Sequence, residues 1–248
     1  MRTLTIVNQK GGVGKTTTAV NLAHGLALKG KDVLLLDLDP QGQCATFLGQ
    51  PQESGPFSLL VQHQPLRACL KLARPDRLWL LPGDKTTSMA STVLDVWRSP
   101  ISTLADLLPK NGSGPDYCII DTAPSVSVLQ AMAIYAASLL IVPTACDFAA
   151  AQGLIALENT LADLRRDYSW TGRLAGILPT FYDPTTTETS RVILELGDNY
   201  PDMLISPIHK ATILRETVAE GCTIFEYSPA SRAADEYRRL VDYVLSLK

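Results

Sequence analysis

Ten residues near the N-terminus constrain this chain more than any other stretch. The apolar run Leu4–Val7 leads into Asn8-Gln9-Lys10-Gly11-Gly12-Val13-Gly14-Lys15-Thr16-Thr17, and helical spacing starts directly afterwards. Glycines at 11, 12 and 14 permit backbone conformations that a Cβ would obstruct. Between a buried strand and a helix, such a turn aims several backbone N–H groups at one point, and the helix N-terminus adds partial positive charge. A phosphate fits there. Lys15 supplies a full charge for β/γ-phosphate oxygens, and the Thr16 hydroxyl supplies a ligand for Mg2+. The usual G-x-x-x-x-G-K-[ST] pattern is not met, because Gln9 stands at its first glycine. The pattern that is met is K-G-G-x-G-K-T-T, with an additional lysine, Lys10, opening the loop. A dinucleotide turn is disfavoured by the absence of G-x-G-x-x-G.

The rest of the chain repeats the strand-then-helix theme. Near-continuous apolar runs occur at Leu4–Val7, Val33–Leu36, Leu78–Leu81, Tyr117–Ile120, Leu139–Val142 and Leu174–Leu178. Continuous runs, unlike alternating ones, suit strands buried on both faces and hence a parallel sheet. Helical spacing lies over Thr16–Lys29, Ala150–Arg166 and Arg232–Leu247. This alternation predicts an α/β fold, a doubly wound and mostly parallel sheet flanked by helices. No repeat or long linker interrupts residues 1–248, so one domain is expected. Residues 50–110 are the least regular and read as an insertion with a surface of its own; Gln50–Ser58 and Pro109–Pro115 read as loops. The longest apolar stretch, Ala131–Cys146, is broken by Ser138 and Pro143 and falls short of the ~18–20 residues of a membrane span. It reads as a buried helix followed by a buried strand.

Acids follow two of the apolar runs. Leu34-Leu35-Leu36-Asp37-Leu38-Asp39-Pro40-Gln41-Gly42 places two aspartates either side of Leu38, on one side of the strand if it continues. Tyr117-Cys118-Ile119-Ile120-Asp121 is an apolar strand ending in an acid, the pattern of a Walker B carboxylate. Ligands of open α/β sheets sit at the C-terminal ends of strands, where all three acids fall.

Composition narrows the remaining options. Hydrophobic residues make up 46% of the 248 and charged residues 19%, enough to build a large core and unlike a disordered chain. Lys and Arg number 22 against 25 Asp and Glu, a net charge of −3, which argues against binding nucleic acid through overall charge but leaves a local patch open. The cysteines are Cys44, Cys69, Cys118, Cys146 and Cys222. Their odd number and the lack of any C-x-x-C point to reduced thiols in cytosol, not to a disulfide framework or zinc site. No signal peptide is legible.

Taken together, Asn8–Thr18, Leu34–Gly42, Ile119–Pro124 and the stretch from Gly221 onward resemble the ParA/MinD superfamily of deviant Walker A ATPases. Lys10 resembles the signature lysine of that family. The resemblance implies ATP and Mg2+ as cofactors, with phosphates held by Lys10, Gly11, Gly12, Val13, Gly14, Lys15, Thr16 and Thr17. Catalysis would fall to Lys10, Lys15 and Asp39, with Asp39 orienting the attacking water. Mg2+ would be held by Thr16, Asp37 and Asp121. Pro40-Gln41-Gly42 and Thr122-Ala123-Pro124 would be switch loops, with Gln41 at the nucleotide, and Pro179, Thr180 and Pro207 would hold adenine. Lys10 would reach the ATP of a partner subunit in an ATP-dependent homodimer, much as an arginine finger does.

The same resemblance implies nonspecific binding of double-stranded DNA, a nucleoid-associated cytoplasmic location, and a ParB-like or small adaptor protein that stimulates hydrolysis. Candidate DNA residues are Arg191, Lys210, Arg215, Arg232, Arg238 and Arg239. The sequence departs from the family where many members carry a basic residue: Cys222 follows Gly221, and Thr185 follows Asp183-Pro184. The cargo would be a plasmid, a chromosome or a carboxysome-like complex. Because the chain starts at the first strand, no separate DNA-reading domain is expected. The alternative within the superfamily is a MinD-like, membrane-associated positioning ATPase. Its basic amphipathic C-terminal helix is not matched here, since Arg232–Lys248 carries four cations and three anions. An iron–sulfur role is disfavoured, because Cys118 lies inside a strand and Cys146 has no paired neighbour. An amidotransferase or ligase would need a second substrate site, and none is legible.

Overall fold

Each of the six apolar runs forms a strand, and a seventh strand joins them. The computed structural model describes residues 1–75, 77–110, 114–148 and 150–247. Residues 111–113 of the expected 109–115 loop, and Lys248 of the C-terminal segment, lie outside the described residues. The first half of the chain runs β1 (Arg2–Ile6), α1 (Lys15–Leu28), β2 (Val33–Leu38), α2 (Gln43–Phe47), α3 (Gly55–Leu60), α4 (Leu66–Cys69), β3 (Lys71–Arg74), β4 (Leu78–Leu81), α5 (Thr86–Val96) and α6 (Thr103–Leu107). It continues with β5 (Tyr117–Thr122), α7 (Val128–Ala136), β6 (Leu139–Ala145), α8 (Ala150–Tyr168), β7 (Arg173–Thr180), α9 (Thr187–Asn199), α10 (Ile213–Ala219), α11 (Ile224–Tyr227) and α12 (Arg232–Ser246).

The strand order is β3-β4-β2-β5-β1-β6-β7. All pairings are parallel except β3 with β4. Every residue of β2, β5 and β6 is buried, as continuous apolar runs require of central strands covered on both faces. One core joins Leu4, Leu35 and Ile119 of the sheet to α1 and α12. On the opposite face, α7 packs over Leu36 and Ile120, and α8 and α9 pack over Val142 and Ile177. Region 50–110 is therefore not an insertion apart from the sheet. It supplies β4 beside β2, and β3 closes that edge in the antiparallel sense.

The C-terminal helix packs inward. Ser231 caps it by accepting from the Ala234 N–H at 3.2 Å. Ala233, Ala234, Tyr237, Leu240, Val241 and Val244 form a buried stripe in the same core as α1, as the 3.6-residue period dictates. Gly25 of α1 lets the two helices approach: a Cβ there would lie 2.5 Å from Val241 Cγ2. Burial of Leu240, Val241 and Val244 stabilises the fold by roughly 1.5–3 kcal/mol each, and leaves this apolar face unavailable to a membrane. Among the described residues, no helix is long and apolar enough to cross one.

One side chain ties distant loops together. The Arg74 guanidinium donates to the carbonyls of Leu48 (2.8 Å) and Gly221 (3.2 Å), and its Nε pairs with Glu226 at 2.6 Å. Beside it the backbones of Gly49 and Gly221 cross so closely that a Cβ on Gly221 would lie 2.8 Å from Gly49 Cα. Both glycines have positive φ.

Candidate nucleotide site

The glycine-rich loop connects β1 to α1 at the C-terminal edge of the sheet. Gly12 (φ 72°) and Gly14 (φ 86°) adopt the left-handed conformation that favours glycine. Gly14 is the residue before α1, and no side chain caps that helix. Its first N–H groups therefore open into a cleft of about 560 Å3 lined by Gly12, Gly14, Lys15, Thr16 and Thr17, with Asp39, Pro40 and Gln41 also at its walls. An anion fits such a helix terminus. Val13 contributes backbone alone: its side chain is buried, and its carbonyl accepts from Thr180 Oγ1 at 2.9 Å.

Three carboxylates behave differently from one another. β2 and β5 run two residues further than their apolar runs, so Asp37 and Asp121 lie within strands, paired in register and fully buried. Asp121 Oδ2 accepts from the Thr16 hydroxyl at 2.7 Å and from Cys44 Sγ at 3.5 Å, and its Oδ1 has no partner among the described residues. Asp37 accepts from the N–H groups of Asp39 (3.1 Å) and Cys44 (3.0 Å). Asp39 does not extend the strand beside Asp37. The strand stops at Leu38, and Asp39 sits in the turn, where its Oδ1 accepts from the Gln41 N–H at 2.9 Å.

Burial pushes Asp121 up to about 7. Burial, then the neighbouring Asp121, hold Asp37 well above the ordinary carboxylate range. Burial lowers the Lys15 ammonium, against the opposing pull of Asp121 and Asp39. Two buried acids with one orphaned oxygen suit a bound cation. The oxygen donors Thr16, Asp37 and Asp121 suit Mg2+, whereas the Cys44 thiol in the same cluster is a soft donor and does not.

These shifts make a stability prediction. In the unfolded chain an aspartate titrates near ~3.9, so between that pH and about 7 the folded state holds a proton that the unfolded state has released. The contribution of Asp121 is thus greatest at low pH and is lost as pH rises toward 7. Asp121→Asn is expected to raise the melting temperature of the nucleotide-free protein in EDTA at pH 8, by on the order of 2–4 kcal/mol of stability, with little change at pH 4. The same variant should lose Mg2+-dependent stabilisation by ATP. Calorimetry at the two pH values measures both.

Lys10 points away from its own cleft. Its backbone N–H donates to Asn8 Oδ1 at 2.9 Å, and its ammonium lies 2.5 Å from both carboxylate oxygens of Asp147, just after β6. Lys15 Nζ donates to the Lys10 carbonyl at 2.9 Å. Asn8 also donates to the Pro143 carbonyl at 2.8 Å, and Gly153 admits α8 alongside, since a Cβ there would lie 2.7 Å from Asn8 Oδ1. Asp147 carries no motif in the sequence; only the fold brings it to Lys10.

A second cleft, of about 460 Å3, adjoins the first at Gly14, Thr17 and Phe181. Thr180 lines it, together with Ile208, His209, Leu214 and Tyr237. Pro179 and Pro207 flank it without lining it; the Pro179 carbonyl accepts from the Ile208 N–H at 2.9 Å, which holds the two loops side by side. Phe181, with φ 53°, and His209 were not legible in the sequence as wall residues.

The candidate DNA cations divide among several places. Lys210 and Arg215 border this second cleft. Arg191 lies in a separate groove whose walls include Asp147, Glu158, Glu188 and Glu195. Arg238 pairs with Asp235 at 2.5 Å, and Arg232 lies 3.5 Å from Glu236. Arg239 is exposed on α12 and has no ion pair among the described residues.

Comparison with known proteins places this geometry. Residues 1–171 match the family model described as AAA domain. The chromosome-partitioning ATPase Soj of Thermus thermophilus is 37% identical over 99% of this chain and 96% of its own length. Cobyrinic acid a,c-diamide synthase from Mycobacterium smegmatis, with bound ATP analogue and magnesium, is 31% identical over 99% of this chain and 94% of its own, with a TM-score of 0.83. A McdA variant from Cyanothece in complex with ATP shares the fold, with a TM-score of 0.88, 24% identity, and coverage of 100% of this chain and 97% of its own. With ATP and Mg2+ as its cofactors, this chain is an ATPase of the partition kind, and it belongs to the ParA/MinD superfamily of deviant Walker A ATPases.

Proposed function

We propose that this chain is a ParA-type switch. ATP joins two copies face to face, the pair holds DNA without sequence preference, and a ParB-like or small adaptor protein triggers hydrolysis and release, so that a plasmid, chromosome or carboxysome-like cargo is positioned. The N–H groups of Gly11–Thr17 and the Lys15 ammonium bind the phosphates. Thr16, Asp37 and Asp121 hold Mg2+, which neutralises phosphate charge when bound. Asp39 orients a water whose oxygen bonds to the γ-phosphorus as the bond to the β–γ bridging oxygen breaks, leaving ADP and phosphate, with the water's proton passing to phosphate or solvent. Gln41, in the loop before α2, senses whether the γ-phosphate is present. The base occupies the second cleft, between Thr180-Phe181 and the loop at Ile208–Lys210.

The observation that carries this reading is Lys10. A lysine placed in a phosphate loop, yet turned out to Asp147 and away from its own cleft, is available to a neighbour's nucleotide. Exposed apolar side chains stand next in the chain to groups of the site: Val126, after Ser125 of the cleft wall, is 69% exposed, and Phe148, after the Asp147 that holds Lys10, is 79% exposed, surface that a second copy would cover. Lys210, Arg215 and Arg239, without ion pairs among the described residues, are the cations most free for phosphate contacts. The buried apolar stripe of α12 favours DNA over a membrane.

Co-sedimentation with nonspecific DNA tests the switch. Pelleting is expected with ATP and Mg2+, not with ADP, and should be lost as salt rises. Equal pelleting with both nucleotides, or ATP-dependent flotation with liposomes in place of DNA, would overturn it.

A further inference from the structure

One side chain in the second cleft is held more tightly than its neighbours. The His209 backbone N–H donates to Glu236 Oε2 at 3.0 Å, and its ring Nδ1 lies 2.7 Å from Glu236 Oε1. The Glu236 side chain, on α12, is 1% exposed, so both oxygens of a buried carboxylate are committed to one residue, with Arg232 Nε 3.5 Å away. Tyr182 packs edge-on against the imidazole, with ring centroids 4.9 Å apart. Hydrogen bonds from Tyr182 N–H to the Ile208 carbonyl (3.1 Å) and from Lys210 N–H to the Tyr182 carbonyl (3.0 Å) fix the backbone on either side. The ring therefore has one orientation. In its neutral form the proton sits on Nδ1, facing Glu236, and Nε2 carries the lone pair. Among the described residues nothing hydrogen-bonds Nε2, and His209 lines the cleft beside Gly14 and Thr17.

An imidazole lone pair in that place accepts a hydrogen bond from an exocyclic amine and repels a carbonyl oxygen. Adenine carries an amine at C6; guanine and hypoxanthine carry a carbonyl there. We infer that His209, oriented by Glu236, reads the 6-amino group of the base and makes this chain select ATP over 6-oxopurine triphosphates. The inference rests on the second cleft being the base pocket. Glu236 is a positioning residue: it fixes the tautomer and angle of His209 without meeting the nucleotide.

The test is equilibrium binding of three nucleotides to the full chain with Mg2+: ATP, purine riboside triphosphate, which lacks the 6-amino group, and inosine triphosphate. Wild type should bind ATP about tenfold more tightly than purine riboside triphosphate, the worth of one buried hydrogen bond, and inosine triphosphate more weakly still. His209→Ala should bring the ratio of ATP to purine riboside triphosphate affinity to about one, whatever the absolute affinity of either. His209→Gln should restore part of the preference, because its amide oxygen accepts from an amine. Glu236→Gln should lower the ATP preference without weakening purine riboside triphosphate. His209→Ala with the wild-type preference intact would overturn the inference. If Lys15→Ala binds all three nucleotides as wild type does, the nucleotide-site reading itself fails, whatever His209 does.

Discussion

Lys10→Ala is expected to reduce partner- and DNA-stimulated ATP hydrolysis by about 10³-fold or more, the scale lost with a trans-acting arginine finger. Nucleotide binding should survive, because Lys15 and the helix terminus remain. The loop should also keep its shape, since the Lys10 contact with Asn8 runs through the backbone N–H. The substitution removes the ammonium and its aliphatic stem, and because Asp147 is half-exposed the lost ion pair costs little. Steady-state turnover with DNA and partner, beside equilibrium ATP binding, separates the two effects. Wild-type turnover in the variant would end the cross-subunit role for Lys10.

Asp39→Ala should produce the opposite phenotype, a protein that stays switched on. Asp39 lies at the wall of the cleft beside the glycine-rich loop, and among the described residues its side chain accepts a hydrogen bond from the Gln41 N–H alone. The contact that shapes the turn, from Asp39 N–H to Asp37, is unaffected by loss of the carboxylate. Folding and ATP binding should therefore persist while hydrolysis falls by roughly 10²–10⁴-fold, as expected on losing a group that positions a nucleophile. The ATP-bound pair should then remain on DNA. Size-exclusion chromatography with ATP should find a dimer that does not decay over hours, and pelleting with DNA should persist after partner is added. A variant that hydrolyses ATP at the wild-type rate would mean that another group orients the water.

The parts of the molecule that repeat a local rule could be read from the sequence. Six strands are apolar runs long enough to be buried on both faces, and the phosphate loop is a local pattern with a local geometry. What could not be read depends on neighbours that the chain brings in later. β3 is short, with Lys71 and Arg74 at its ends, and is a strand only because β4 presents an edge to it. The pairing of Asp37 with Asp121 follows from β2 lying beside β5, which no spacing along the chain reveals. Asp147 holds Lys10 because β6 lies next to β1. The prolines at 179 and 207 stand in the loops that border the second cleft, but the side chains lining it are the ones after them, Thr180, Phe181 and His209. The cations cannot be grouped from the sequence, because the fold separates them: Arg191 on α9 lies in one groove, Lys210 and Arg215 border another, and Arg232, Arg238 and Arg239 lie on α12.

The crossing of Gly49 and Gly221 leaves no slack between two distant parts of the chain. With backbone against backbone there is no side chain to repack, and Arg74 grips a carbonyl on each side. Gly49 closely follows the helix that starts after the Pro40-Gln41-Gly42 loop, and Gly221 follows the helix that carries Arg215. A displacement of one is therefore handed to the other as in a pinned linkage, with the guanidinium as the pin. Enlarging either glycine would separate the links.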